Sequence, residues 1–202
     1  MDKALNHLAA SDPIMGALID RYPKPNFSKH TNYYHELIDS IISQQLSVKA
    51  ARTIEDRFKN LFGGKFPSPE EILSKDIEEL RAVGLSRPKA GYIQDLARKI
   101  IDGSVSFDAI DGLSNDEIVA ELTKVKGIGV WTVHMFLMFC MARLDVLPTG
   151  DLGIKNGVKR LYELDTLPEP RDIELLAEKN NWQPYESVAS WYIWQSLDNA
   201  PK

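Results

Sequence analysis

Residues 122–132 read Leu-Thr-Lys-Val-Lys-Gly-Ile-Gly-Val-Trp-Thr, and this segment decides how the rest of the chain is interpreted. It joins two stretches of helical pattern through Gly127 and Gly129, which are separated by one apolar residue. Glycine permits a backbone with φ > 0 and lets another molecule approach without meeting a Cβ atom. The helix that follows begins with unpaired N–H groups, which suit a phosphate oxygen. The segment therefore predicts a phosphate-binding hairpin, with a plain helix–helix turn capped by Gly127 as the alternative.

Helical signals recur on both sides of this hairpin, whereas the alternation typical of strands does not. Apolar residues follow a spacing of three and four, and Ser or Asp caps and closing glycines mark the ends. The predicted helices cover residues 32–45, 47–62, a start at 68–71, 76–83, 87–102, 114–124, 130–143, 153–164, 171–180 and 184–197. We expect an all-α protein of about ten helices in a single domain, residues 1–202. Its two lobes are predicted to comprise residues 1–44 with 141–202, and residues 45–140.

The overall charge of −5 argues against a nucleic-acid partner until its distribution is considered, because phosphates require local positive potential. Residues 81–99 carry five bases and one acid, and residues 120–160 carry six bases and three acids. Residues 161–202 carry eight acids and three bases. This distribution allows a basic face beside an acidic region, although solvated surface charge accounts for it equally well.

The single cysteine, Cys140, excludes an internal disulfide and an iron–sulfur cluster, which requires several cysteines. No run of eighteen apolar residues is present, and the N-terminus lacks the pattern of a signal peptide. We therefore expect no membrane partner and an intracellular location. That location is the cytoplasm or nucleoid in a bacterium or archaeon, and the nucleus in a eukaryote.

The hairpin is followed some twenty residues later by Leu147-Pro-Thr-Gly-Asp-Leu-Gly-Ile-Lys155. A Gly-x-Gly hairpin with an aspartate at this distance resembles the signature of the helix-hairpin-helix DNA glycosylases, and more narrowly the 3-methyladenine DNA glycosylase II family. Residues 41–47, 83–90 and 182–194 fit the same family in the right order, so the resemblance covers roughly residues 35–197. It implies a two-lobed fold with the active site between the lobes. Some members carry an N-terminal β-rich domain, but only about thirty residues precede the first strong helix here, so we expect the compact form.

The resemblance identifies Asp151 as the catalytic carboxylate. Cleavage of an N-glycosidic bond builds oxocarbenium-like charge on the sugar, which a carboxylate stabilises while it orients or deprotonates the attacking water. Asp151 is also predicted to cap a helix beginning at Leu152, and the two roles are compatible. Asp145 is a weaker candidate for the catalytic carboxylate because it precedes the Pro148–Gly150 loop.

Bifunctional relatives place a lysine nucleophile two residues after the second hairpin glycine, and Trp131 occupies that position here. The resemblance therefore implies a monofunctional hydrolase of base excision repair that leaves an intact abasic site, with no lyase activity. The expected substrates are alkylated purines, 3-methyladenine first, with 7-methylguanine and hypoxanthine as further candidates. A monomer acting on damaged duplex DNA is expected, with no required cofactor.

Family alignment assigns four residues to the base pocket: Trp131, Met135, Leu152 and Trp194. Aromatic faces attract a cationic alkylated base by about 0.5–2 kcal/mol. The alternative is that both tryptophans are core residues. Methionine and leucine stand where a bacterial branch of the family has tyrosines, which predicts a different selectivity.

The remaining assignments concern DNA contacts. Gln45 is the first candidate for the wedge that fills the gap left by a flipped base, with Leu46 and Ser47 as alternatives. His134 is interpreted as a core histidine. The full set of predicted DNA-binding residues is Gln44, Gln45, Leu46, Ser47, Arg87, Lys89, Lys126, Gly127, Gly129 and Thr132. The backbone carbonyls of Thr123, Val125 and Ile128 match positions that hold a structural Na⁺ or K⁺ in relatives.

Two other functions stay open at this point. A helix-hairpin-helix protein could bind DNA without chemistry, although that role needs no aspartate at position 151. A glycosylase of the same fold could instead prefer uracil or a mismatched base, which a tryptophan-lined pocket disfavours modestly.

Overall fold

The computed structural model describes residues 1–197, and every regular element within that range is helical. The α-helices are α1 (Asp2–Ser11), α2 (Pro13–Arg21), α3 (Tyr33–Ser43), α4 (Val48–Leu61), α5 (Pro69–Leu73), α6 (Ile77–Ala82), α7 (Arg87–Ile101), α8 (Asn115–Leu122), α9 (Val130–Phe139), α10 (Leu152–Leu161), α11 (Pro170–Lys179) and α12 (Glu186–Ser196). The predicted all-α class is confirmed, with twelve α-helices in the described range instead of about ten. None of these helices combines the length and apolar character that crossing a bilayer requires.

Side-chain caps determine where several helices begin. Ser114 accepts the N–H of Glu117 while the Glu117 carboxylate accepts the N–H of Ser114, which forms a capping box at the start of α8. Ser47 caps α4 by accepting the N–H of Ala50 at 3.3 Å. The caps satisfy N–H groups that the first helical turn leaves without partners.

Helices α1 and α2 were not predicted from the sequence. Helix α1 has no side-chain cap, so its start carries no local signal. Helix α2 begins with Pro13 after Asp12, whose Oδ1 accepts the N–H of Ile14 at 2.9 Å. Aspartate followed by proline is a helix-start pattern, so this second helix was recognisable.

The chain forms two compact units, residues 1–29 with 137–202 and residues 30–136. The sequence placed the first boundary at residue 44, but α3 packs against α4 and α7 and belongs with them to the second unit. In the first unit, α10 packs against α12, and α12 against α2. Each unit has a core of fully buried apolar side chains, such as Leu8 and Met15 in the first and Leu37 and Phe58 in the second.

Helix α9 ends at Phe139, earlier than the predicted residue 143. Ala142 adopts a left-handed backbone with φ +56°, and the N–H of Arg143 donates to the carbonyl of Leu137 at 2.9 Å. This turn closes the helix before the basic residue that the sequence pattern had included.

Candidate active site and DNA-binding surface

Asp151 stands at the start of α10, where the chain leaves the Pro148–Gly150 turn. Its N–H donates to the carbonyl of Pro148 at 2.9 Å, and its Oδ1 accepts the N–H of Ile154 at 2.8 Å. The predicted capping role is therefore present in the structure. The carboxylate lies beside the N-terminal end of α10, and the hydrogen bond to Ile154 fixes its orientation.

A second donor reaches the same oxygen. The indole Nε1 of Trp194 on α12 donates to Oδ1 of Asp151 at 2.9 Å. Trp194 is 3% exposed and packs at a tilt against Phe139. The predicted stacking of Trp194 on a base stays a prediction, and the structure adds a contact that holds the carboxylate. Leu152, the other pocket candidate in this unit, is 62% exposed.

Two glycines let α10 approach α12 this closely. A Cβ on Gly153 would lie 2.9 Å from Oδ1 of Asp151 and 3.0 Å from Cδ1 of Trp194. A Cβ on Gly157 would lie 2.3 Å from Cγ2 of Ile193. Glycines four residues apart face the same side of a helix, so the pair forms one groove for α12. Sequence reasoning missed both, although their spacing was visible.

The hairpin contains the tight turn at Gly127 that both interpretations of the sequence require, and phosphate binding there stays a prediction. Gly127 adopts φ +81°, and a Cβ there would lie 2.1 Å from Cδ2 of Tyr92. Gly129 is exposed, and Val130 and Trp131 in the first turn of α9 are 50% and 52% exposed. The first turn of α9 therefore presents an exposed apolar and aromatic surface.

The segment Gln44–Ser47, which we call the wedge loop, connects α3 to α4 in the same unit. Gln45 is exposed and has φ +57°, a left-handed conformation that costs a residue with a side chain about 1 kcal/mol or more. Leu46 is 39% exposed. Val48, for which the sequence predicts no functional role, is 72% exposed at the start of α4. An exposed apolar residue beside a strained loop is suited to contact with unstacked bases.

Residues 38–183 match the family described as HhH-GPD superfamily base excision DNA repair protein. The chain belongs to this superfamily. It is 38% identical to DNA-3-methyladenine glycosylase 1 of Schizosaccharomyces pombe, over 97% of this chain and 87% of that protein. The structure of S. pombe 3-methyladenine DNA glycosylase (Mag1) in complex with abasic DNA matches with a TM-score of 0.80 at 37% identity, covering 99% of this chain and 100% of that one. The structure of a DNA-3-methyladenine glycosidase from Bacillus halodurans matches with a TM-score of 0.84 at 34% identity, covering 96% and 88%.

Several residues assigned to DNA by the superfamily pattern make contacts within the protein. The Gln44 amide donates to the carbonyl of Gly127 at 2.9 Å, and the Lys89 amine donates to the carbonyls of Ile42 and Gln44 at 2.8 and 2.6 Å. Arg87 forms an ion pair with Glu78. Binding of a phosphate by either basic side chain would therefore compete with an existing contact.

The other superfamily positions lie on or near α9. Thr132 is 7% exposed, whereas Lys126 is exposed at the hairpin. Met135 is half-buried. Burial lowers the pKa of His134, consistent with the neutral core histidine expected from its position.

Proposed function

We propose that the protein is a monofunctional DNA glycosylase that excises alkylated purines from duplex DNA, 3-methyladenine foremost, with 7-methylguanine and hypoxanthine as further candidates. The observation that carries this proposal is the fixed carboxylate of Asp151, whose Oδ1 accepts hydrogen bonds from Ile154 and Trp194. A carboxylate held in this way needs no reorganisation as positive charge develops on the sugar. The names of the relatives support the same substrate class.

The reaction begins with extrusion of the target nucleotide, at a cost of a few kcal/mol. The exposed Trp131 provides an aromatic face that attracts a cationic alkylated base. As the N-glycosidic bond breaks, the Asp151 carboxylate stabilises the oxocarbenium-like sugar and takes a proton from the attacking water. The products are a free base and an abasic site.

The side chain at position 131 supports the proposal of hydrolysis without strand cleavage. Trp131 has no amine to form a Schiff base with the sugar. Lys124, which precedes the hairpin, donates to Glu121 at 2.6 Å and to the carbonyl of Ser104 at 3.3 Å. Its amine is therefore bound to the surface of its own unit.

The hairpin also contains backbone carbonyl oxygens that could bind the Na⁺ or K⁺ expected from the superfamily pattern. Backbone carbonyls are suitable ligands for such hard cations, and the predicted ones belong to Thr123, Val125 and Ile128. The Val125 oxygen accepts the N–H of Ile128 at 3.1 Å, and a carbonyl has a second lone pair for a cation. A cation there would add positive charge beside a phosphate.

The proposed partner is damaged duplex DNA, bound by a monomer. The proposed compartment is the one that holds the genome: the cytoplasm and nucleoid of a bacterium or archaeon, or the nucleus of a eukaryote.

The test is single-turnover incubation with duplex DNA that contains one alkylated purine, scoring free base, abasic sites and strand breaks separately. Asp151→Asn is the informative variant because asparagine also caps helices and can accept the same hydrogen bonds, so that only the charge is lost. Asp145→Asn is the matched control. We expect base release by the wild type and the control, and loss of release in Asp151→Asn.

Other outcomes would replace this proposal. Products trapped by borohydride would show an amine nucleophile. Release of uracil or a mismatched base alone would change the substrate class. DNA binding without release of any base would indicate a binding protein.

A further inference from the structure

Three residues on one face of α7 contact both segments that are expected to touch DNA. Lys89, Tyr92 and Asp95 follow one another at three-residue intervals, which places them on one side of the helix. Lys89 contacts the end of α3 and the wedge loop, whereas Tyr92 and Asp95 contact the hairpin. We call this set the α7 face. Residues six apart on a helix are separated by about 9 Å along its axis. The α7 face therefore sets the distance between the wedge loop and the hairpin.

Lys89 binds backbone carbonyls at the end of α3. Its Nζ donates to the carbonyl oxygens of Ile42 at 2.8 Å and Gln44 at 2.6 Å. The C-terminal end of a helix has unpaired carbonyls and a partial negative charge, which a lysine stabilises. Burial lowers the pKa of this amine. Two of its three N–H donors are thus engaged by the chain that enters the wedge loop.

The hairpin is held by the next two residues of the α7 face. Asp95 is 6% exposed, and its Oδ2 accepts the N–H of Lys126 at 2.9 Å. The ring of Tyr92 lies against Gly127, where a Cβ would be only 2.1 Å from it. The wedge loop and the hairpin also contact each other directly, because the Gln44 amide donates to the carbonyl of Gly127 at 2.9 Å.

We propose that Lys89, Tyr92 and Asp95 are positioning residues that hold the wedge loop at a fixed distance from the hairpin, so that the gap left by a flipped base is filled while the neighbouring phosphate is held. Lys89 thus acts on base flipping through the wedge loop and does not contribute a phosphate contact. This assignment rests on the proposed glycosylase function, because it gives the wedge loop its task.

The experiment separates wedge insertion from both phosphate binding and chemistry. The probe is a duplex with a tetrahydrofuran abasic analogue opposite 2-aminopurine, whose fluorescence reports unstacking of the orphaned base without any excision. The variants are Lys89→Met, Lys89→Arg as the conservative rescue, and Lys99→Met as a control that removes one charge elsewhere on α7. Affinity for undamaged duplex is measured over a series of salt concentrations.

If the proposal is correct, Lys89→Met lowers the insertion signal about tenfold, the loss expected for charged hydrogen bonds, and Lys89→Arg restores most of it. The salt dependence of binding then changes no more than in Lys99→Met. If Lys89 contacted a phosphate, Lys89→Met would instead reduce the magnitude of the slope of log K against log salt by about 0.9. The insertion signal of the bound protein would then be unchanged. That result would overturn the proposal.

Tyr92→Leu keeps the test decisive if Lys89→Met does not fold, because it removes the ring that lies against Gly127 and leaves the wedge loop itself unchanged. A lower insertion signal in this variant would support the positioning role, and an unchanged signal would overturn it. The glycosylase proposal is tested independently by excision. A wild-type protein that inserts into the abasic duplex but releases no alkylated base would refute the proposed reaction alone.

Discussion

The indole N–H of Trp194 and the backbone N–H of Ile154 donate to the same oxygen of Asp151, at 2.9 and 2.8 Å. One donor comes from the helix that Asp151 caps and the other from α12, some forty residues later in the chain. The carboxylate is therefore oriented both by its own helix and by a neighbouring one. The hydrogen bond from Trp194 predicts that this residue positions the carboxylate in addition to offering an aromatic face.

Trp194→Phe should separate the two roles, because phenylalanine keeps an aromatic face and lacks the N–H donor. We expect the single-turnover rate of base release to fall about tenfold, the loss typical of a hydrogen bond to a charged group, with little change in DNA affinity. Trp191→Phe, on the same helix, is the control. Wild-type excision by Trp194→Phe would mean that the hydrogen bond is dispensable and that only the ring contributes.

Gly153→Ala should impair catalysis more than folding. The added Cβ would approach Oδ1 of Asp151 to 2.9 Å and Nε1 of Trp194 to 3.1 Å, forcing one of them to move. Misplacement of a catalytic group by a fraction of an ångström to 1 Å lowers the rate about ten- to hundredfold. Single-turnover excision and thermal unfolding measured on the same preparation will show which property changes.

Two further glycines provide the controls for this substitution. Gly157→Ala should lower stability by about 1–3 kcal/mol through overpacking against Ile193. Gly91→Ala, where the added Cβ meets nothing within 4 Å, should raise it by about 0.5–1 kcal/mol because alanine is the better helix residue. If Gly153→Ala behaves like Gly91→Ala in both assays, the close approach of α10 to α12 does not position the carboxylate.

The sequence was sufficient for the features that local signals encode. The hairpin glycines, the cap at Asp151 and the helix starts at Ser47 and Ser114 depend on residues within a few positions of one another. The Trp194–Asp151 bond could not be predicted, because it depends on how α10 packs against α12. The residue type also does not show whether a lysine amine faces a phosphate or a carbonyl, so the hydrogen bonds of Lys89 to the carbonyls of Ile42 and Gln44 could not be predicted.

Asp39 on α3 should make the stability of the protein depend on pH near neutrality. Burial, and next the charge of Glu55, raises its pKa from 3.8 to about 7, with Lys59 opposing and Glu36 adding to the shift. Its Oδ1 is buried without a hydrogen-bond partner within the described part of the chain. Because the folded state binds the proton more tightly than the unfolded state, stability is lost as the pH rises from about 4 to about 7.

Asp39→Asn should remove this loss of stability at rising pH, because asparagine does not titrate. We expect it to be more stable than the wild type by about 1–2 kcal/mol at pH 8, after allowing for screening by solvent, with the difference vanishing near pH 4. Urea unfolding across this pH range is the measurement. Asp56→Asn, an exposed carboxylate on α4, should follow the wild-type curve. A constant difference between Asp39→Asn and the wild type at every pH would rule out titration of Asp39 as its cause.

Asp12 should be essential for the stability of the unit formed by residues 1–29 and 137–202. It is 1% exposed, caps α2 through Oδ1, and accepts hydrogen bonds at Oδ2 from Tyr162 (2.5 Å) and Trp182 (2.8 Å). Asp12→Ala would remove the cap and leave a part-buried hydroxyl and a buried indole N–H without their acceptor. We expect the free energy of unfolding, measured with urea, to fall by about 3–5 kcal/mol.

Tyr162→Phe is the comparison variant, because it removes one hydrogen bond of this network without leaving a donor that lacks an acceptor. We expect it to lower the free energy of unfolding by only about 1 kcal/mol. Equal losses in the two variants would show that the Tyr162 contact alone accounts for the contribution of Asp12.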